Sequence, residues 1–138
     1  MLYKTLIRSH LEYANSLWNT YLKQDISAVE KVQMRATKLV AALRHKPYAE
    51  RLKHLNLPTL KYRRLRGDMI ETYKILSGKY DSAVVPTIPI IFDSVTRGNS
   101  LKISSRRCNY NLRKYSFCFR ITNVWNSFPY TATSDNSF

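Results

Sequence analysis

Over its first 78 residues the chain repeats apolar side chains at steps of three to five, and within that stretch proline occurs only at positions 47 and 58. Such a recurrence lays an apolar stripe along one side of a helix, whereas a half-buried strand would alternate. The stretch LYKTLIRSHLEYANSLW puts Leu2, Leu6, Leu11, Ala14, Leu17 and Trp18 on one stripe, which predicts a first helix over about residues 2–18. A second helix is expected to begin at Asp25 or Ser27, where Ser27 and Glu30 have capping-box spacing, and to run to about Leu43. At about 100° per residue, Val29, Val32, Ala36, Leu39, Val40 and Leu43 share its inner face, and Lys31, Arg35 and Lys38 form a narrow stripe well away from it.

Pro47 opens a short helix holding Arg51, Leu52 and Leu55. The Asn56-Leu57-Pro58 stretch ends it, because the residue before a proline is pushed out of helical geometry. A fourth helix is expected from about Thr59 to Ser77, with Tyr62, Leu65, Met69, Tyr73 and Leu76 inward, Arg63, Arg64 and Lys74 outward, and Gly78 as its cap. Gly67 inside it costs about 1 kcal/mol relative to alanine. Either something approaches the backbone there or the helix breaks; the unbroken helix is the preferred reading.

From about 80 to 111 the periodicity fails, and Pro86, Pro89 and Gly98 separate β-prone pieces at 88–92 and 101–104. A last helix is expected over about Lys114 to Ser127, with Phe117, Ile121, Val124, Trp125 and Phe128 on one stripe and Pro129 stopping it; the tail TATSDNSF has no pattern. The expected fold is mainly α: a basic domain of about four helices over 1–78, an irregular connector with room for a short β-hairpin over 79–113, and an amphipathic helix with a tail over 114–138.

Lys and Arg outnumber Asp and Glu by 23 to 9, a formal charge of +14, far more than solubility requires. Residues 1–66 hold 14 basic and 4 acidic side chains, so the first half of the chain is the stronger electrostatic candidate. The excess asks for a polyanion, and nucleic acid comes first. A membrane partner is not expected, since no apolar run approaches a span and the N-terminus lacks a signal-peptide layout. Cys108 and Cys118 are too far apart for a zinc half-site and read as reduced thiols of an intracellular protein, nuclear or cytoplasmic.

Two-metal polymerisation needs several converging carboxylates, two of them adjacent or nearly so. The sequence has no adjacent acidic pair, and Asp68 with Glu71 reads as a helix-start pair. His10, His45 and His54 lack metal-ligand spacing, and Cys118 falls in an aromatic helix where a thiol packs as a small apolar group. No metal, cofactor or nucleophile is assigned. Binding remains: Lys31, Arg35 and Lys38 can meet phosphates along a duplex backbone, and Arg63, Arg64 and Arg66 form a denser cluster suited to bidentate phosphate contact. Trp18, Phe117, Trp125 and Phe128 read as core, and Tyr3, Tyr110 and Tyr115 as the better candidates for stacking on bases.

Four strings in order, LYKTLIRSHLEYANSLWN, EKVQMRATKL, YRRLRGDMIETYKIL and NLRKYSFCFRITNVWNSFP, resemble the region downstream of the palm in reverse transcriptases of non-LTR retrotransposons, of the jockey-like and related clades. Together they cover nearly the whole chain. Ser9, where the pattern usually has proline, and Met34, where a second basic residue usually precedes Arg35, depart from it. The resemblance implies a thumb-type helical bundle that holds a primer–template duplex beside the palm, followed by a C-terminal segment. It adds Arg113 and Lys114 to the candidate nucleic-acid contacts.

On this reading the chain is a truncated, non-catalytic piece of an RNA-directed DNA polymerase. Its partners are RNA, an RNA–DNA hybrid or DNA, together with the palm domain of the parent enzyme. The alternatives are a helical protein-interaction or oligomerisation module and a non-functional retroelement remnant.

Overall fold

The computed structural model describes residues 3–81, 83–91, 101–105 and 107–128, which are mainly helical. Leu2, Phe92, Gly98, Pro129 and the tail TATSDNSF, to which sequence reasoning gave roles, lie outside the described residues. A π-helical turn over Tyr3–Ile7 leads into α1 (Arg8–Glu12) and α2 (Asn15–Trp18). Then follow α3 (Lys23–Lys38), a 3₁₀ turn at Ala41–Leu43, α4 (Tyr48–Leu55), α5 (Leu60–Leu76), α6 (Asn111–Lys114) and α7 (Phe117–Asn126). Two compact units divide the chain, Met1–Gly67 and Asp68–Phe138, so the division falls inside α5, whereas the sequence placed its boundaries after residues 78 and 113.

In the first unit the helix expected over 2–18 is broken. Ala14 adopts a left-handed conformation, φ 48, between α1 and α2. An L side chain there costs about 1–2 kcal/mol, and the local contacts offset it: the Asn15 side-chain amide donates to the Arg64 carbonyl at 2.9 Å, and the Trp18 indole donates to the Tyr13 carbonyl. The expected apolar stripe therefore does not pack, and Leu6 and Leu17 are 59% and 85% exposed. Tyr3 goes inward instead, beside Leu52 and Leu57, with Ala36, Tyr48 and Leu55 around them.

The second helix also differs from expectation. It begins at Lys23, with Thr20 accepting the Leu22 N–H at 3.3 Å and donating to Asp25 at 2.9 Å. Ser27 and Glu30 form no capping box; Glu30 accepts the Leu60 N–H at 3.1 Å and so satisfies an orphan donor at the start of α5, while also accepting the Tyr48 hydroxyl. α3 stops at Lys38, leaving Val40 and Leu43 beyond its end. Its buried side is Gln33 and Thr37, roughly a quarter-turn from the apolar stripe of Val29, Val32 and Leu39. The reason is polar: Gln33 accepts the Tyr3 hydroxyl at 2.8 Å and donates to the Pro58 carbonyl at 3.0 Å, so its burial leaves both ends of the amide bonded.

The turn chemistry matches the sequence closely. After α4, Asn56 takes φ 49, with Leu57 N–H bonded to the Leu52 carbonyl at 2.9 Å and Asn56 N–H to that of Lys53 at 3.2 Å. After α5, Gly78 takes φ 65, with the equivalent bonds from Lys79 to Lys74 and from Gly78 to Ile75. Both are Schellman closures, which satisfy the last carbonyls of a helix. Gly67 does not break α5, and a Cβ there would meet the Asn15 amide at 3.6 Å, an ordinary van der Waals distance, so no described neighbour comes close enough to require the glycine.

The second unit is built on Met69, Ile88, Ile103, Ile121 and Trp125. α5 reaches it with Asp68, Met69 and Thr72 buried, while the expected inward residues Tyr62 and Leu65 are 58% and 42% exposed. Tyr73 and Leu76 pack partly against the core as expected. Two described pieces of the connector are joined: Ile90 and Ile103 form an isolated antiparallel bridge, and the Asn126 side chain both accepts the Ile103 N–H and donates to its carbonyl, at 3.0 and 2.8 Å. The last helix, α7, begins at Phe117, slightly later than expected, and a separate turn, α6, precedes it; the α7 stripe buries Ile121 and Trp125 while Phe128 stays 40% exposed.

Candidate nucleic-acid interface

Lys31, Arg35 and Lys38 are all exposed on α3. Steps of four and three residues keep them within roughly 60° of one another and about 10 Å apart along the axis from first to last. They face away from the Gln33–Thr37 side that packs, so their solvent position follows from the helix's own period. Among the described residues none of the three takes part in an ion pair. Three uncompensated cations along two helical turns form a linear electropositive strip suited to a row of phosphates.

The arginine cluster of α5 does not act as one. Arg63 makes a bidentate pair with Glu12, Nη2 donating to Oε2 at 2.8 Å and Nε to Oε1, and this hydrogen bonding holds its proton still more tightly. Arg8 also reaches Glu12, at 3.6 Å. Arg64, expected outward, is 5% exposed and carries its guanidinium carbon 4.6 Å from the Trp18 ring centroid. Arg66 alone of the three is exposed. Charge density along the sequence concealed this split, because Glu12 and Trp18 lie some fifty residues away.

Arg113 and Lys114 are exposed on α6, with Arg113 over the Phe119 ring at 5.4 Å and Lys114 beside that of Tyr115 at 5.6 Å. Of the stacking candidates, Tyr3 is 9% exposed and belongs to the core, Tyr110 is 80% exposed, and Tyr115 is half-buried. Trp125 is core as expected, Phe117 packs partly against it, and Trp18 is 42% exposed, its role being the contact with Arg64.

Asp68 and Glu71 are not a helix-start pair: Asp68 lies inside α5 and binds Arg120 through two hydrogen bonds, at 3.0 and 2.9 Å, while Glu71 stays near the surface with Lys74 and Tyr80. Among the described residues no three His, Cys, Asp or Glu side chains converge as a metal site requires. Cys118 packs beside the core, and burial pushes its thiol pKa up. Arg107, exposed at the edge of the connector, escaped sequence reasoning because its surroundings have no periodicity to read. Comparison with family models, curated proteins and solved structures finds no match to this chain.

Proposed function

We propose that this chain is a non-catalytic, thumb-type element of a non-LTR retrotransposon reverse transcriptase that holds the phosphate backbone of RNA or an RNA–DNA duplex. The observation that carries the reading is the α3 strip, with Lys31, Arg35 and Lys38 exposed on the side away from buried Gln33 and Thr37. The four ordered strings supply the family, and the net charge of +14 supplies the need for a polyanion. Contacts of this kind set register and orientation without reading base sequence. The sequence has no adjacent carboxylates, so phosphoryl-transfer chemistry belongs to a palm domain outside it. Of the cations chosen from the sequence, Lys31, Arg35, Lys38, Arg66, Arg113 and Lys114 remain as contacts, and Arg63 and Arg64 serve the first unit's own structure.

The test is Arg35→Glu combined with Lys38→Glu, measured for affinity towards RNA–DNA hybrids of two unrelated sequences and for helicity by circular dichroism. Affinity for both hybrids should fall by about tenfold or more, the loss of two charge-assisted contacts, with helicity unchanged. Unchanged affinity would contradict the proposal. A second reading, association through apolar faces, is favoured by the exposure of Leu6, Leu17 and Leu39, at 59%, 85% and 84%. Light scattering separates the two: a monomer that binds hybrid supports the first.

A further inference from the structure

The second unit contains an open cleft of about 520 Å³, within the roughly 300–1,000 Å³ range of small-molecule sites. Residues 105 and 107–109 of the connector form one wall, and α6 with α7 forms the other. Among the described residues its lining includes three cations, Arg107, Lys114 and Arg120, and no carboxylate. Arg120 is neutralised by Asp68, so the pull on an anion comes from Arg107 and Lys114, both exposed. Two half-buried rings, Tyr115 and Phe119, line the same space, and the exposed carboxamides of Asn109 and Asn123 stand at its edge.

An inorganic anion uses only the cations of such a site. Aromatic rings take a flat π-system, and a carboxamide both donates and accepts, as the edge of a base requires. The three kinds of group together match the three parts of a nucleotide. We propose that this cleft takes one unstacked nucleotide, its phosphate against Arg107 and Lys114, its base against Tyr115 and Phe119, and its base edge against Asn109 and Asn123. The inference rests on the nucleic-acid reading above and extends it from duplex backbone to a single-stranded end; a free nucleotide presents the same chemistry, and the arms of the test separate the two sources.

Cys108 lines the cleft and supplies the reporter. In a Cys118→Ser chain it is the remaining thiol, and its alkylation by neutral iodoacetamide is timed with uridine oligonucleotide, with uridine monophosphate, with pyrophosphate, and with a blunt RNA–DNA hybrid. The single strand should slow alkylation saturably. Tyr115→Ala and Arg107→Glu should each weaken protection by roughly tenfold, as loss of a stacking platform or a phosphate contact does, and Tyr115→Phe should retain it. If Tyr115→Ala loses helicity, Arg107→Glu carries the test, since it lies outside any helix.

Protection by the monophosphate equal to that by the oligonucleotide supports the site and assigns it to free nucleotide; protection by the oligonucleotide alone assigns it to single strands. Pyrophosphate protecting as well as the nucleotides, or no protection by any of them, overturns the proposal. The outcome is independent of the α3 strip: Arg35→Glu with Lys38→Glu should leave protection by the monophosphate unchanged. A chain that binds blunt hybrid through α3 yet shows no protection of Cys108 loses this site and keeps the reading above.

Discussion

Replacing Arg120 should be among the most damaging single changes in the second unit. Arg120 and Asp68 are 52 residues apart in sequence and meet through two hydrogen bonds, Nε to Oδ2 at 3.0 Å and Nη2 to Oδ1 at 2.9 Å. The Asp68 side chain is 3% exposed and that of Arg120 is 16% exposed. Arg120→Met fills much of the same volume but leaves a carboxylate buried without the guanidinium, which costs about 3–5 kcal/mol. Asp68→Ala leaves the longer, partly exposed arginine able to turn its head towards water, so its cost should be smaller, about 2–3 kcal/mol. Removing both charges, Asp68→Leu with Arg120→Met, should recover most of the loss, because an apolar pair avoids the desolvation of two ions.

The chain has two tryptophans, and a Trp18→Phe parent leaves Trp125, 3% exposed in the core of the second unit, as the fluorescent reporter. Urea unfolding of the single and double variants in that parent gives the coupling directly. Losses below about 1 kcal/mol for both single variants, or a larger loss for Asp68→Ala than for Arg120→Met, would refute the account of this contact.

Burial pushes the Tyr3 hydroxyl from 10.0 up to about 12, and burial with the Glu30 contact pushes Tyr48 up as well. The folded chain then holds these protons more tightly than the unfolded one, so the associated stability is complete below about pH 10 and is lost as pH rises through about 12. Tyr3→Phe should make that alkaline decline shallower while lowering stability at neutral pH by about 1–3 kcal/mol through the stranded Gln33 acceptor; denaturant titrations at neutral and alkaline pH show both effects. Gly67→Ala should raise the melting temperature, gaining up to about 1 kcal/mol, because the new Cβ meets the Asn15 amide at an ordinary 3.6 Å; a lower melting temperature would mean that this contact is tighter than it stands.

The ends of α4 and α5 were legible in the sequence, although the Ser27–Glu30 capping box it suggested does not form. Pro47, Asn56 and Gly78 bound α4 and α5 close to the expected positions, since their preferred φ values need no tertiary partner. Ile121 and Trp125 also pack as their spacing implied. What stayed hidden was the direction in which helices turn their polar residues. α5 buries Arg64, Asp68 and Thr72, and α3 buries Gln33 and Thr37, because Trp18, Arg120, Tyr3 and Pro58 satisfy or cover them from distant positions. Hydrophobic periodicity assigns such side chains to solvent by default, and no local pattern marks the exceptions. The α3 strip was legible for the opposite reason: Lys31, Arg35 and Lys38 lie on a side of the helix away from both its apolar stripe and its buried polar side, so they meet water whichever of the two packs.

The central claim is that this strip grips phosphates, and the salt dependence of hybrid binding measures it. Each neutralised phosphate contributes about −0.9 to the slope of log affinity against log salt, so the three α3 cations alone should give roughly −3. The chain carrying Arg35→Glu and Lys38→Glu should show a slope shallower by about 2. A flat response in the unaltered chain, or the same slope in both, would contradict it.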